Sequence, residues 1–318
     1  MIPILTSEQD VAEKLRSTPR PVEENVLAWY EHRLGVIATT PRLMLLPLDD
    51  HLTHRGDGVF ETIQYQQGIL FGLESHLARL ERSAKGIFLE PPCEWSFIRE
   101  AVLATVAAGK ESRGMVRILL GRGQGGFGVD PSECPEASLY IIAYRHQDMT
   151  EADYARGLTG MRTSILPKSA DMAQIKNANY LPNVLMMREA RQKGADVPFS
   201  FTLDGHLAES AIANICLVNQ DGVFLVPSLT NALKGTNLTK AIEILEGKRE
   251  YRIGLVTEED IFAAKEVMIL GSGPICAAVV RYEGRTIGDG KRGPVCQMLL
   301  ETMTRDYLAH GTKVPGLA

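Results

Sequence analysis

The stretch IKNANYLPNVLM, Ile175 to Met186, decides the architecture predicted for the second half of the chain. A strand-like segment leads into it, and Pro182 suits the first turn of a following helix, with Gly194 as the stop. Lys176 therefore lies between a strand and a helix, four residues before the phenol of Tyr180. A lysine in that place can reach into a cleft and act as a nucleophile, whereas an arbitrary lysine is a solvated surface charge.

A second informative residue is Glu209, within DGHLAESAIANI, Asp204 to Ile215. Its surroundings, with Ala211 and Ala213, are small and apolar, and a buried carboxylate needs a cationic partner. A protonated pyridine nitrogen would be such a partner, and the pairing would keep the ring electron-poor. The alternative is a turn glutamate exposed to water.

Two turns in the same half of the chain suit a phosphate group. Gly235-Thr236-Asn237 precedes a predicted helix, whose exposed N–H groups and dipole attract anions. Gly271-Ser272-Gly273 follows a predicted core strand and offers a hydroxyl and a flexible backbone. Arg79, in the middle of another predicted helix, is either a surface charge or a bidentate phosphate clamp. Most such turns only reverse the chain, so the hypothesis of a site depends on their occurrence together with Lys176 and Glu209.

Polar residues of the first half allow two further hypotheses. The segment Gly121 to Gly126 is glycine-rich but matches neither a P-loop nor a dinucleotide-binding turn, and its Arg122 could bind a substrate carboxylate. A neighbouring group contains residue types that ligate metals, although we expect it to form a hydrogen-bonded turn near a cleft and to hold no metal: Asp49, Asp50, His51, His54 and Asp57.

Size and composition suit a globular protein with about two domains. The chain has 318 residues, of which 45% are hydrophobic and 23% charged. Its net charge of 34 − 39 = −5, with scattered basic residues, argues against nucleic acid as the main partner. No apolar run approaches ~18 residues, so no membrane span is expected, and the N-terminus lacks the pattern of a secretory signal. The five cysteines show no CxxC spacing, so we expect reduced thiols in a cytoplasmic protein.

The order of predicted elements favours the α+β class, because strands cluster and helices intervene irregularly. We predict a smaller N-terminal α/β domain over residues 1–146, a charged linker over residues 147–152, and a larger strand-rich C-terminal domain over residues 153–318. Individual predictions include strand-like structure over residues 35–48, broken at Pro41 and Pro47, and a helix over residues 182–193.

Taken in order, these stretches resemble the class IV aminotransferases, the fold type IV group of pyridoxal phosphate enzymes. The resemblance covers roughly residues 35 to 300, and together its motifs are specific: HRGDGVFETI, LESHLARLERSA, IKNANYLPNVL, GHLAESAIANI, LKGTNLTKAIEIL and EVMILGSG. Through LPLDDHLTHRGDGVF and NYLPNVL the chain is most similar to the group of D-amino acid aminotransferases and 4-amino-4-deoxychorismate lyases.

The resemblance implies a role for each matching residue. Lys176 would form the Schiff base with pyridoxal 5'-phosphate, Tyr180 would bond the phenolic oxygen of the cofactor, and Glu209 would hold its pyridinium nitrogen. The remaining positions would bind the phosphate (Arg79, Thr236, Asn237, Ser272), pack on the ring (Leu233) or contact the substrate (Phe60, Arg122). The family also implies a homodimer, in which N-terminal loops of one subunit close the site of the other.

Some positions depart from the family pattern. Gly235-Thr236-Asn237 replaces the usual Gly-Ile-Thr, and Ser272 replaces a second phosphate-binding threonine, so we expect backbone groups to carry much of the phosphate binding. Phe60 occurs where D-amino acid aminotransferases often have a tyrosine, and Arg55 occurs where branched-chain enzymes often have one.

These motifs predict an aminotransferase that moves an amino group from an amino acid to a 2-oxo acid such as 2-oxoglutarate or pyruvate. Arg122 and the motifs near Asp50 and Tyr180 favour a D-amino acid as donor. The alternatives are a lyase that forms 4-aminobenzoate and pyruvate from aminodeoxychorismate, and an aminotransferase for branched-chain L-amino acids. A module that only stores the cofactor is a further alternative, but it would not need a carboxylate on the ring nitrogen.

Overall fold

The computed structural model describes residues 2–317. Among them lie ten α-helices: α1 (Glu8–Ser17), α2 (His51–Arg55), α3 (Leu73–Gly86), α4 (Trp95–Ala108), α5 (Glu151–Arg156), α6 (Ala170–Ala173), α7 (Leu181–Gln192), α8 (Thr236–Leu245), α9 (Glu258–Ala263) and α10 (Pro294–His310). Four short 3₁₀ helices accompany them: Glu23–Asn25, Pro41–Leu43, Pro131–Glu133 and Leu229–Asn231. Within residues 2–317, no helix combines the length and the apolar character that crossing a membrane requires.

The same residues contain sixteen strands: β1 (Val26–Glu31), β2 (Val36–Ala38), β3 (Gly58–Gln66), β4 (Ile69–Leu70), β5 (Gly114–Gly121), β6 (Ser138–Tyr144), β7 (Leu158–Arg162), β8 (Val197–Phe201), β9 (Leu207–Ser210), β10 (Asn214–Val218), β11 (Phe224–Pro227), β12 (Tyr251–Gly254), β13 (Glu266–Gly271), β14 (Ile275–Tyr282), β15 (Arg285–Thr286) and β16 (Thr312–Lys313). This mixture of helices and strands confirms the predicted α+β class.

The first unit of the fold comprises residues 2–71, 84–146 and 312–317. Its framework is a seven-stranded antiparallel sheet in the order β16-β4-β3-β5-β6-β1-β2. The longest ladder joins β3 to β5, and the fully buried side chains of Ile63, Val116 and Ile118 lie on these two strands. Helix α4 packs against the sheet through Ile98 and Val102, so that apolar burial holds helix and sheet together.

The second unit comprises Gly72–Ser83 and Gln147–Gly311. Six strands of its nine-stranded sheet close into a ring, because the run β10-β13-β14-β7-β8-β9 returns to β10 through the pairing of Glu209 with Asn214. Strand β7 is parallel to both of its neighbours, whereas the other pairs of the ring are antiparallel. Buried side chains of these strands form one apolar cluster that includes Phe199, Ile215 and Val279.

The division into units differs from the predicted pair of domains with one linker. The chain passes from the first unit to the second after residue 146, but residues 72–83 also belong to the second unit and residues 312–317 to the first. The predicted C-terminal boundary is therefore wrong for residues 312–317, because β16 pairs with β4 in the antiparallel sheet of the first unit.

Local predictions had mixed outcomes. The helix predicted over residues 182–193 is confirmed as α7, which has Pro182 in its first turn. Of the strand-like structure predicted over residues 35–48, only Val36–Ala38 forms a strand. The predicted break at Pro41 is confirmed, because a 3₁₀ helix begins there and the proline nitrogen has no hydrogen to donate to a strand partner. Strand β1 lies inside the sheet, between β2 and β6, and was not predicted.

Candidate functional site

The second unit contains a cleft whose volume, counted together with the open solvent at its mouth, is about 510 Å³. All eight residues that the sequence predicts to bind a cofactor lie in its wall: Arg79, Lys176, Tyr180, Glu209, Leu233, Thr236, Asn237 and Ser272. They come from separate parts of the chain, so it is the fold of the second unit that brings them together.

Lys176 and Tyr180 form the amine-and-phenol pair of the cleft. The Nζ of Lys176 donates a hydrogen bond of 3.1 Å to the phenolic oxygen of Tyr180. The backbone N–H of Lys176 donates to Oγ of Ser83, at 3.1 Å, which ties this turn to helix α3. Tyr180 is the N-cap residue of α7, and the fixed φ of Pro182 suits the helix start that follows it. The strand predicted to lead into Lys176 is absent, because β7 ends at Arg162 and α6 precedes the lysine. The turn between α6 and α7 presents both side chains to the same cleft.

Glu209 provides the carboxylate of the cleft from strand β9. Its backbone carbonyl accepts a hydrogen bond from Oγ of Ser200, at 2.6 Å, and its Oε2 accepts from the N–H of Leu233, at 3.0 Å. Burial raises the pKa of Glu209 to about 7, although the N–H of Leu233 and three cations of the cleft (Lys168, Lys176, Arg79) act to lower it. A cationic group placed beside this carboxylate would complete its pairing.

Leu233 is fixed from both sides by residues of the cleft. Its N–H donates to Glu209, and its carbonyl accepts from Nδ2 of Asn214, at 2.7 Å. Asn214 also crowds Gly235, because a Cβ built at Gly235 would lie 2.2 Å from Oδ1 of Asn214. Any larger residue at position 235 would push the amide away or displace the turn, so the close approach of backbone to cleft at this point depends on glycine.

The N-terminus of helix α8 opens onto the cleft at Thr236. Its N-cap residue is Gly235, which has no side chain to accept hydrogen bonds from the first N–H groups of the helix. The hydroxyl of Thr236 lies 3.3 Å from Nε2 of His76, a buried residue of α3 that precedes Arg79 by three positions. His76 and Arg79 therefore share one face of α3, and Arg79 contributes a largely buried positive charge to the same cleft.

Asn237 has a different role from the direct side-chain ligand that the resemblance implied. Its Nδ2 donates to the carbonyl of Gly271, at 2.7 Å, and its Oδ1 accepts from the hydroxyl of Tyr307, at 2.6 Å. The buried amide thus ties the start of α8 to the turn that carries Ser272, leaving the backbone N–H of Asn237 as the group that could reach a ligand. In the same turn Ile275 has φ of 56°, a strained value for a β-branched residue.

Several residues of the cleft were not predicted from the sequence. Lys168 lies in its wall, with its Nζ 5.1 Å from the centre of the Tyr180 ring. Asn183 ties α7 to the segment after β9 by donating from Nδ2 to the carbonyl of Ala211, at 2.6 Å. A lysine in a polar segment and an amide inside a helix have no distinctive sequence pattern, so only the fold identifies them.

The two predicted substrate residues, Phe60 and Arg122, belong to the first unit. Phe60 is buried in β3, where the guanidinium of Arg117 lies 5.6 Å from its ring centre. Arg122 donates two hydrogen bonds to Asp57, at 2.9 and 3.1 Å, and one each to the carbonyls of Ile87 and Phe88. A carboxylate would therefore have to displace Asp57 to bind Arg122 as the sequence predicts.

The acidic and histidine residues near position 50 form a hydrogen-bonded unit with the glycine-rich loop. His51 donates its backbone N–H to the carbonyl of Gly123, and its Nε2 lies 2.9 Å from the carbonyl of Gly126. Asp50 accepts from the hydroxyl of Tyr140, at 2.9 Å. Residues 2–317 contain no group of three or more histidine, cysteine or acidic side chains arranged to hold a metal ion. The expected hydrogen-bonded turn is thus present here.

Comparison with known proteins adds an independent line of evidence. A sequence model of the family described as "Amino-transferase class IV" matches residues 58–282. The chain is 33% identical to the chloroplastic D-amino-acid transaminase of Arabidopsis thaliana over 315 residues, covering 96% of this chain and 82% of that protein. It is 30% identical to the branched-chain-amino-acid aminotransferase of Pseudomonas aeruginosa over 262 residues, covering 78% of this chain and 83% of that protein.

The fold has counterparts among solved structures. The branched-chain amino acid aminotransferase from Escherichia coli superimposes with a TM-score of 0.81, and the match covers 92% of this chain and 97% of that chain at 22% sequence identity. A hypothetical aminotransferase from Mycobacterium tuberculosis, solved in a PLP-bound form, superimposes with a TM-score of 0.74. That match covers 89% of this chain and 99% of the other, also at 22% identity. At this level of identity the similarity shows a shared fold.

Proposed function

This chain belongs to the class IV aminotransferases and uses pyridoxal 5'-phosphate, and we propose that its amino donor is a D-amino acid. The observation that carries the assignment of the site is the cleft in which Lys176, hydrogen-bonded to Tyr180, lies with the partly buried Glu209. The preference for a D-amino acid is supported by the 33% identity to a D-amino-acid transaminase along 96% of the chain.

The residues of the cleft fit the cofactor group by group. The N-terminal N–H groups of α8, Arg79 and the hydroxyls of Thr236 and Ser272 suit a phosphate. The carboxylate of Glu209 suits a protonated ring nitrogen, because its raised pKa reflects burial without a full cationic partner. Leu233 suits packing on the ring, and the Nζ of Lys176 suits covalent attachment of the cofactor.

Each of these side chains then has a task in the reaction. Pyridoxal phosphate supplies an electron-withdrawing ring that makes the α-carbon of an attached amino acid acidic. Lys176 would take the proton from that α-carbon and return it at the carbon of the cofactor that bears the amino group, acting as general base and then general acid. Tyr180 would orient Nζ through the 3.1 Å hydrogen bond. Glu209 would keep the ring nitrogen protonated.

The attachment at Lys176 has a direct test. Reducing the cofactor-loaded protein with borohydride and mapping its peptides by mass should find the cofactor fixed to the peptide that contains Lys176. Lys176→Ala should fold normally and lose transamination by a factor of about 10² to 10⁴, whereas Lys234→Ala, which changes an exposed lysine, should retain it. Undiminished turnover in Lys176→Ala would contradict the assigned role.

The donor is tested with matched pairs of D- and L-amino acids. We expect D-alanine or D-glutamate to be converted with pyruvate or 2-oxoglutarate as acceptor, and their L-forms to react far more slowly. Conversion of L-leucine and L-valine instead would favour a branched-chain enzyme, an alternative that the similarity to the Pseudomonas aeruginosa protein supports. Consumption of aminodeoxychorismate without transamination would favour the lyase.

We also propose that the enzyme is a homodimer. Helix α7 exposes a row of large apolar side chains on one face, with exposed fractions of 67% for Leu181 and 59% for Val184, and Ile212 beside it is 64% exposed. Val184 and Ile212 also line a groove on this surface, together with Met187. A second copy of the chain would cover this apolar surface. The cytoplasmic location expected from the sequence remains a prediction, which fractionation of the source cells would test.

A further inference from the structure

Hydrogen bonds fix the backbone segment that places Lys168 in the wall of the cleft. Its carbonyl accepts a hydrogen bond from Nδ2 of Asn231, at 2.9 Å. Further along the same connection, Nε2 of Gln174 donates to the carbonyls of Leu229 and Ala232, at 2.6 and 2.7 Å. The segment that carries Lys168 is therefore attached to the segment that ends at Leu233, whose N–H supports Glu209.

The ammonium group of Lys168 lies among the functional groups of the cleft. Its Nζ is 5.1 Å from the centre of the Tyr180 ring, within the range of a cation–π interaction. Burial lowers the pKa of Lys168, while Tyr180 and Glu209 act to raise it and Lys176 acts to lower it. Lys168 thus has electrostatic interactions with all three residues proposed to act on the ring and the reacting atoms of the cofactor.

The charges of the cleft indicate what Lys168 does. Arg79 faces the proposed phosphate site, and Lys176 loses its ammonium charge once the cofactor is attached to it. Of the three cations that act on Glu209, Lys168 is then the one without another proposed task in the cleft. A carboxylate that has lost much of its hydration requires such a charge to stay ionised. Because the pKa of Glu209 is about 7, a small change in the surrounding charge alters its ionised fraction strongly at neutral pH.

We propose that Lys168 is a positioning residue of this site, which keeps Glu209 ionised for the ring nitrogen and holds the ring of Tyr180 in place. This inference rests on the proposed role of Glu209. It assigns to Lys168 no contact with the substrate. Lys168 acts by fixing the charge of one neighbour and the orientation of another.

The test compares the pH dependence of cofactor binding in four proteins. Cofactor-free wild type, Lys168→Met, Lys168→Arg and Lys234→Met are titrated with pyridoxal phosphate across neutral pH, and binding is followed by protein fluorescence. We expect Lys168→Met to bind pyridoxal phosphate about tenfold more weakly near pH 7. The acid limb of the profile, where binding falls as the pH is lowered, should move upward by about one pH unit. Lys168→Arg should restore the wild-type profile. Lys234→Met removes an equal but exposed charge and should leave the profile unchanged.

A second background separates this inference from the proposed function. In Glu209→Gln the acid limb should disappear. In the double variant Glu209→Gln with Lys168→Met, the affinity for the cofactor should differ from that of Glu209→Gln by less than about threefold, because no carboxyl remains for the lysine to act on. An undiminished effect of Lys168→Met in that background would show that Lys168 only attracts the anionic cofactor, and would overturn the inference. An unshifted limb in Lys168→Met alone would also overturn it. A limb that persists in Glu209→Gln would instead overturn the role of Glu209.

Discussion

Glu209 shows how burial at a single residue prepares a site for a charged ligand. The ring of strands places it opposite Asn214, and hydrogen bonds to its backbone carbonyl and its carboxylate fix its position. Burial removes much of the hydration of the carboxylate, so its charged form is disfavoured although three cations of the cleft act on it. Binding of a protonated ring would remove that penalty, so we expect the cofactor-free protein to retain a destabilising group.

Glu209→Gln should therefore stabilise the cofactor-free protein at high pH. The carboxyl titrates near pH 7 in the folded state and near 4.5 when unfolded, so between these values the folded state binds more protons. Stability from this group is present at low pH and is lost as pH rises to about 7. We expect the variant to be roughly 3 kcal/mol more stable than wild type at about pH 8 and nearly equal at about pH 4. Urea unfolding at both pH values measures this, and a variant less stable at the higher pH would contradict it.

At this scale, the sequence identified the residues with chemically functional groups in the cleft better than the residues that support them. Lys176 and Glu209 could be proposed because their motifs combine a turn with a suitable neighbour. Lys168 and Asn214 could not be, because what matters is their distance from Tyr180 and Leu233 across the fold. Arg122 shows the converse: its motif suggested a carboxylate ligand, and the fold pairs it with Asp57 inside the protein.

Among the elements, helix α8 and the turn after β13 can form the proposed phosphate site together only if their relative positions are fixed. Asn237 joins them, since it donates to Gly271 and accepts from Tyr307 of α10. The strained φ of Ile275 lies in the same turn, and such conformations persist only where the surroundings hold them in place. The amide of Asn237 is one part of that support.

Two substitutions separate this support from general stability. Asn237→Ala leaves the Gly271 carbonyl and the Tyr307 hydroxyl without this partner, and should cost about 2 to 4 kcal/mol of unfolding free energy and weaken cofactor binding. Tyr307→Phe keeps the bond from Asn237 to Gly271, so it should cost about 1 to 2 kcal/mol and bind the cofactor nearly as well. Chemical unfolding and cofactor titration of both variants test this, and equal losses of affinity would count against the proposed support.

Helix α7 begins at the cleft, with Tyr180 as its N-cap residue, and has an apolar outer face. Val184→Glu would place a charge on that face, and we expect it to convert the proposed dimer to a monomer, because burying an unpaired carboxylate in an interface is costly. Leu203→Glu is a matched control: Leu203 is 86% exposed in the turn after β8 and is not part of the groove. Light scattering after size-exclusion chromatography gives the masses. If Val184→Glu has the mass of the wild-type protein, the proposed interface is misplaced.

Helices and strands could be predicted only where their formation does not depend on pairing with strands far away in the sequence. Residues 182–193 contain their own start and stop signals, so α7 could be predicted from the sequence alone. The closure of the ring depends on one pairing between β9 and β10, and no local pattern encodes it. Strand β16 is similar: two residues near the C-terminus pair with β4, far away in the sequence, and the predicted domain boundary missed them.

At the scale of the whole molecule, every proposed cofactor contact lies in the second unit. Ligand binding stabilises the structure that contacts the ligand, by about 2.7 kcal/mol at a concentration one hundred times the dissociation constant. Amides that exchange only when that structure opens should then exchange about one hundredfold more slowly. Hydrogen exchange with mass spectrometry can therefore assign the cofactor to one unit without any measurement of activity.

We expect pyridoxal phosphate to slow exchange in β9, in the start of α8 and in the turn between β13 and β14. Peptides from β5 and β6, which form the middle of the first unit's sheet, should keep their rates, because none of their residues lines the cleft. Pyridoxal, which lacks the phosphate, serves as the matched ligand: it should protect β9 through Glu209 and leave α8 and the Ser272 turn nearly unprotected. If both ligands protect α8 equally, the phosphate binds elsewhere. If protection is confined to β5 and β6, the cofactor binds in the first unit.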